Sequence, residues 1–99
     1  MKVEKERNGE QLKVKVIGSI DANTDKELLA QLDGELEGVS ELRFDMTDMD
    51  YISSAGLRAM LEFYQTIADN NGKMALDHVR EDLLEIFKLT KFTDFIEIS

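Results

Sequence analysis

Two hydrophobic periods alternate along this chain, and that alternation limits the folds open to it more than any other feature. Leu57, Met60, Leu61, Tyr64, Ile67 and Ala68 recur at three- and four-residue steps, the spacing that lines one face of an α-helix. Shortly before them, Leu42-Arg43-Phe44-Asp45-Met46 alternates apolar with polar residues, the two-residue period of a strand with one buried face. A helix with one apolar stripe and a strand with one apolar face must bury them against each other. Elements of both kinds in succession therefore place helices over a sheet, an α/β (or α+β) architecture.

The rest of the chain continues the pattern. Val3 and the run Val14, Val16, Ile17 flank Asn8-Gly9, which reads as a hairpin. Gly18 to Asn23 reads as a loop, and Thr24-Asp25-Lys26-Glu27 has the capping-box form of a helix start. Leu28, Leu29, Leu32 and Leu36 supply that helix with a stripe, and Gly34 or Gly38 can end it. Thr47 to Asp50 reads as a polar connection, and Asn70-Asn71-Gly72 closes the central helix. Lys73 to Asp77 is a strand candidate, Val79, Leu83, Ile86 and Phe87 return to helical spacing, and Phe92, Phe95, Ile96 and Ile98 form a closing turn and strand. With 99 residues and neither linker nor repeat, the expectation is one domain over residues 1–99, with a modest core.

Composition narrows the function. The chain has no cysteine, so disulfides, thiolate metal sites and thiol catalysis are out, and a cytoplasmic setting is expected. Its start alternates charges where a signal peptide needs an apolar stretch, and no apolar run approaches the roughly 20 residues that span a bilayer, so no direct membrane insertion is expected. Net charge is −9, and ten of the 21 acidic residues, against two basic ones, fall between Gly18 and Ser53. Nucleic acid, bound mainly through Lys and Arg, is a poor partner for such a surface, whereas a basic protein face would be steered toward it. His78 is the lone histidine, which leaves no multi-histidine metal site, and Ile52-Ser53-Ser54-Ala55-Gly56 is not a nucleophile elbow. Asp45, Asp48 and Asp50 lack the order of a calcium loop and read as a solvated turn able to complement cations on a partner. No catalytic residue, metal or cofactor is expected.

The segment Tyr51-Ile52-Ser53-Ser54-Ala55-Gly56-Leu57 places two hydroxyls at the mouth of the long amphipathic helix. A helix start offers unpaired amides and a partial positive charge, so one serine can cap it. A phosphate esterified to the other would meet the same amides and dipole and add about 1.5 to 2 negative charges to the surface. Met49 and Tyr51, beside the serines, are candidate interface residues, and Arg58 lies one turn into the helix. Met60 and Met74 read as core.

Two motifs carry a resemblance over nearly the whole chain. Gly18-Ser19-Ile20-Asp21-Ala22-Asn23-Thr24 matches a Gly-x-Leu/Ile-Asp-x-x-Thr loop, and Ser53-Ser54-Ala55-Gly56-Leu57 matches an Asp/Ser-Ser-Ser/Thr/Ala-Gly-Leu helix opening, in the family's order and spacing. The chain thus resembles a STAS domain, a mixed β-sheet covered by helices, and in particular the bacterial anti-sigma factor antagonists. The resemblance implies a non-enzymatic regulator that binds, when unphosphorylated, an anti-sigma factor with serine kinase activity of the GHKL type and so frees a sigma factor. Phosphorylation by that partner would end the binding, and a separate phosphatase would restore it. The acceptor position falls on Ser54, with Ser53 as the alternative. Asp21, Thr24, Met49, Tyr51, Ser53, Ala55, Gly56 and Arg58 fall on the implied contact surface. Ser53 and Ser19 stand where many members carry Asp and Glu. A second reading of the same fold is a constitutive assembly subunit, for example of a lipid-transport ATPase complex, in which Ser54 only caps the helix.

Overall fold

The computed structural model describes residues 1–99. In chain order the elements are β1 (Lys2–Asn8), β2 (Gln11–Ile20), α1 (Asp25–Leu32), β3 (Glu41–Asp45), β4 (Met49–Ile52), α2 (Ser54–Asp69), β5 (Lys73–Asp77), α3 (Glu81–Leu89), a 3-10 turn at Phe92–Asp94, and β6 (Glu97–Ile98). The strands form one sheet in the order β1-β2-β3-β5-β6, with β4 also paired to β2. Only the β1–β2 hairpin is antiparallel; the other pairings are parallel.

The two-residue period decides which face is covered. Leu12, Val14, Val16, Leu42, Phe44, Met74 and Leu76 point into one cluster of 23 buried residues, together with Leu28 and Leu32 of α1, Met60, Phe63 and Ile67 of α2, and Leu83 and Phe87 of α3. Residues of the opposite parity, such as Lys13, Lys15, Arg43 and Asp77, stay at least partly exposed, so all three helices lie over one face of the sheet. On the open face the Arg43 guanidinium donates to both carboxylate oxygens of Asp77, at 2.9 and 2.8 Å, and to Glu41 at 2.6 Å. The two acids hold the Arg43 pKa above its ordinary value, and Arg43 in turn lowers that of Glu41.

Most elements follow the sequence reading, with departures at the end of β2, at β4, at both ends of α1, whose cap bond is missing and which stops at Leu32 short of Leu36, and at the start of α3. The hairpin turns at Gly9 in the left-handed region (φ 62°), Met60 and Met74 are core, and His78 is an exposed strand-end residue. Gly18 to Ile20, expected as loop, continues β2, and the expected polar connection shrinks to Thr47-Asp48 because Met49–Ile52 forms a strand of its own. The capping box is absent. The Thr24 hydroxyl makes no cap bond to α1; it donates to the Ser19 carbonyl at 2.8 Å and accepts from the Asp21 amide at 3.0 Å, which tightens the loop instead. The third helix opens at Glu81, two residues after the expected Val79.

Candidate functional site

Strand β2 is long enough to serve two partners in one lane. Its first half pairs with β3 (Gln11↔Glu41 to Lys15↔Asp45) and its end with β4 (Gly18↔Met49, Ser19↔Tyr51, Ile20↔Ile52). Because β2 and β4 run parallel, the Asp21–Thr24 loop and the Ser53-Ser54 helix start emerge side by side at the carboxyl ends of neighbouring strands. In parallel sheets that edge is where ligands and partners are met. The Ser53 amide donates to the Ile20 carbonyl at 2.9 Å and ties the two together. The Asp21 carboxylate is turned inward on its own loop, accepting from the amides of Asn23 (2.8 Å) and Thr24 (3.2 Å).

The two serines divide the work. Ser53, in extended conformation, is the N-cap of α2 and accepts the Gly56 amide on its hydroxyl oxygen at 3.3 Å, while the Leu57 amide goes to its carbonyl at 2.9 Å. Ser54 is the first helical residue, is exposed, and its hydroxyl is engaged by no other group of the protein. With the cap supplied by its neighbour, Ser54 is not needed to start the helix. Its oxygen stands in solvent at the positive end of a 16-residue helix.

Gly56 sets how closely that helix end approaches the sheet. A Cβ at this position would lie 2.6 Å from Ile52 Cγ1 and 2.7 Å from the Ile20 carbonyl oxygen, so only glycine lets α2 seat on the ends of β2 and β4. Gly56 is buried, and its place on the expected contact surface is corrected to a packing role. Met49 needs a plainer correction: its side chain is fully buried in the core. The register step that leaves Asp50 without a partner on β2 turns both Met49 and Ile52 inward and leaves Asp50 and Tyr51 outside. Tyr51, 54% exposed, is the large apolar side chain presented next to the serines. Ala55 is half-buried, and Arg58 is exposed one turn along α2.

The acids of the neighbouring turn are engaged locally. Asp48 pairs with Lys15 at 3.1 Å and raises the Lys15 pKa. Burial pushes the Asp45 carboxyl up, but hydrogen bonds from the Thr47 hydroxyl and amide, together with nearby positive charge, leave Asp45 below its ordinary value. No three His, Asp or Glu side chains stand where they could hold a metal ion together, and no helix is long and apolar enough to cross a membrane. One residue of this region was not legible in the sequence. Arg80, at the start of α3, donates to the carbonyls of Met49 (2.7 Å) and Asp50 (2.8 Å), with Asp82 on its other side at 3.1 Å. An arginine where a helix cap would normally be Ser, Thr, Asp or Asn was the only available signal.

The STAS domain family model matches residues 2–99. The chain belongs to the STAS domain family. Among curated proteins, the anti-sigma-B factor antagonist of Listeria monocytogenes is 30% identical over 98 residues, covering 96% of this chain and 84% of the relative. Among solved structures, an anti-sigma factor antagonist from Mycobacterium paratuberculosis superposes with a TM-score of 0.85 at 17% identity, over 98% of this chain and 83% of that one. The Bacillus cell fate determinant SpoIIAA in its phosphorylated form superposes with a TM-score of 0.77 at 12% identity, over 99% and 91%. At these identities the two structures speak for the fold, and this STAS chain shares it from the first hairpin to the last strand.

Proposed function

We propose that this STAS protein is an anti-sigma factor antagonist switched by phosphorylation of Ser54. The observation that carries the reading is the division between the serines: Ser53 caps α2, and Ser54 is left exposed with an unengaged hydroxyl. The partner is an anti-sigma factor with serine kinase activity that packs over the helix start, touching Tyr51, Ser53, Ala55, Arg58 and the Asp21–Thr24 loop. In the transfer, the Ser54 oxygen bonds to the γ-phosphorus of the partner's ATP and ADP leaves. The hydroxyl proton passes to a base supplied by the kinase.

The consequence for binding follows from charge. A phosphate of about −1.5 to −2 inside a closed interface must be desolvated and meets the surface that had fitted a neutral hydroxyl; each 1.4 kcal/mol of that penalty weakens the complex about tenfold. No refolding is required, because the Ser54 hydroxyl bears no structural hydrogen bond. A phosphatase hydrolyses the ester to restore binding. The similarity to a named anti-sigma-B factor antagonist over almost the full chain supports this reading.

The test combines the chain with the kinase-type anti-sigma factor encoded in its own genome, with ATP or ADP, followed by mass spectrometry and affinity measurement. Wild type is expected to gain one phosphate on Ser54. Ser54→Ala should bind without accepting phosphate, and Ser54→Asp should bind at least tenfold more weakly. Phosphate on Ser53 would reverse the assignment of the two serines. Stable binding with no phosphate on either would favour the constitutive assembly subunit.

A further inference from the structure

The free edge of β4 is closed by a side chain rather than a strand. Strand β4 lies in the lane of β3 beside β2, and on the far side of that lane runs β5. β5 ends at Asp77, whose carbonyl still accepts the Met46 amide at 2.9 Å. The chain then leaves the sheet through His78, in the left-handed region at φ 59°. No strand therefore pairs with β4 on that side. Because the register steps from Gly18↔Met49 to Ser19↔Tyr51, Asp50 has no partner on β2. Two successive carbonyls, of Met49 and Asp50, are left for a donor outside the ladder, the first part-buried and the second exposed.

Arg80 supplies both bonds from one guanidinium. Nη1 donates to the Met49 carbonyl at 2.7 Å and Nη2 to the Asp50 carbonyl at 2.8 Å. Asp82 takes Nε at 3.1 Å and Nη2 at 3.2 Å, which fixes the fork from behind. Arg80 stands at the N-cap of α3 and makes no cap bond there, so its side chain serves β4 instead of its own helix. Only Tyr51, Ile52 and Ser53 separate the Asp50 carbonyl from Ser54.

We propose that Arg80 is a positioning residue for the Ser54 segment, standing in for a missing strand on the edge of β4 and holding the bulge that presents Tyr51 and the two serines. This deepens the phosphoswitch reading and rests on it for its effect on a partner, though the clamp itself can be tested without one. Arginine is required because a fork must bind two carbonyls and a carboxylate at once; a lysine ammonium cannot span the same set.

The test compares Arg80→Ala, Arg80→Lys and Asp82→Asn in the full chain. Amide hydrogen exchange read by NMR on the isolated protein is expected to rise about tenfold or more in Arg80→Ala at the Gly18 and Ser53 amides, which bond across β2 and β4, with α1 and mid-α2 amides unchanged. Arg80→Lys should recover only part of this protection, and it serves in place of the alanine variant if that fails to fold. With the kinase, the KM for the substrate chain should rise about tenfold while kcat moves less, since the acceptor is presented less often in the bound geometry. Unchanged exchange at Gly18 and Ser53 in a folded Arg80→Ala protein would overturn the clamp. Faster exchange with wild-type KM and affinity would overturn the positioning role. Absence of phosphate on wild-type Ser54 would sink the phosphoswitch and, with it, the positioning role, while the exchange result would still decide the clamp.

Discussion

Replacing Gly56 with alanine sets two physical effects of opposite sign against each other. Alanine is the better helix former, by about 1 kcal/mol in a helix interior, so propensity alone expects Gly56→Ala to stabilise α2. The added methyl, however, would sit 2.7 Å from the Ile20 carbonyl oxygen and 2.6 Å from Ile52 Cγ1, about 0.7 Å inside the 3.4 Å at which ordinary contact with that oxygen begins. The oxygen is backbone, and it already accepts the Ser53 amide at 2.9 Å. Relief therefore requires α2 to lift away from β2 and β4, costing roughly 1–3 kcal/mol in packing strain and about 1 kcal/mol in the stretched hydrogen bond. Net destabilisation of about 2 kcal/mol is expected, a fall in Tm on the order of 8–16 °C for a domain of this size. Urea and thermal unfolding followed by far-UV circular dichroism measure both. A Gly56→Ala protein as stable as wild type, or more so, would show that the close approach is not rigid and would refute the packing role given to this glycine.

The two serines should separate in stability as they do in geometry. Ser53→Ala loses the cap and should cost about 1 kcal/mol, whereas Ser54→Ala should stay within about 0.5 kcal/mol of wild type in the same unfolding assay. Equal losses would mean that the hydroxyls share the cap. Acid should weaken the sheet's open face. The folded-state pKa of Glu41 is depressed, first by its hydrogen bond from Arg43, so its contribution is present above the ordinary glutamate range and is lost as pH falls through the lowered value. Arg43→Met should therefore flatten the decline in stability measured by urea titration between about pH 5 and pH 3, and an unchanged slope would remove Arg43 as its cause.

Much of the fold was legible because it depends on local spacing. The stripe from Leu57 to Ala68, the alternation of Leu42 to Met46 and the Asn8-Gly9 turn each declare an element within a dozen residues, and burial of Met60, Ile67, Leu42 and Phe44 follows from the period. The serines were legible for the same reason, since a cap is a local event. Met49 was misplaced because a four-residue strand with the pattern buried, exposed, exposed, buried has neither period; it exists only through the bulge against β2. Thr24 stands at the N-cap of α1 as its letters imply, but its side-chain bond differs, because the same capping-box letters also allow a hydroxyl to bond back across the preceding loop.

The amino-acid sequence by itself determined the alternation of strands and helices, the acidic charge of the middle third and the presence of two hydroxyls at a helix mouth, since each depends on neighbours a few residues apart. Only the tertiary structure decided how closely α2 approaches the sheet, and that Arg80, 26 residues beyond Ser54, closes the edge of β4. Those outcomes depend on backbone groups brought together from distant parts of the chain, and the donors and acceptors left over there are known only once the strands have chosen their partners.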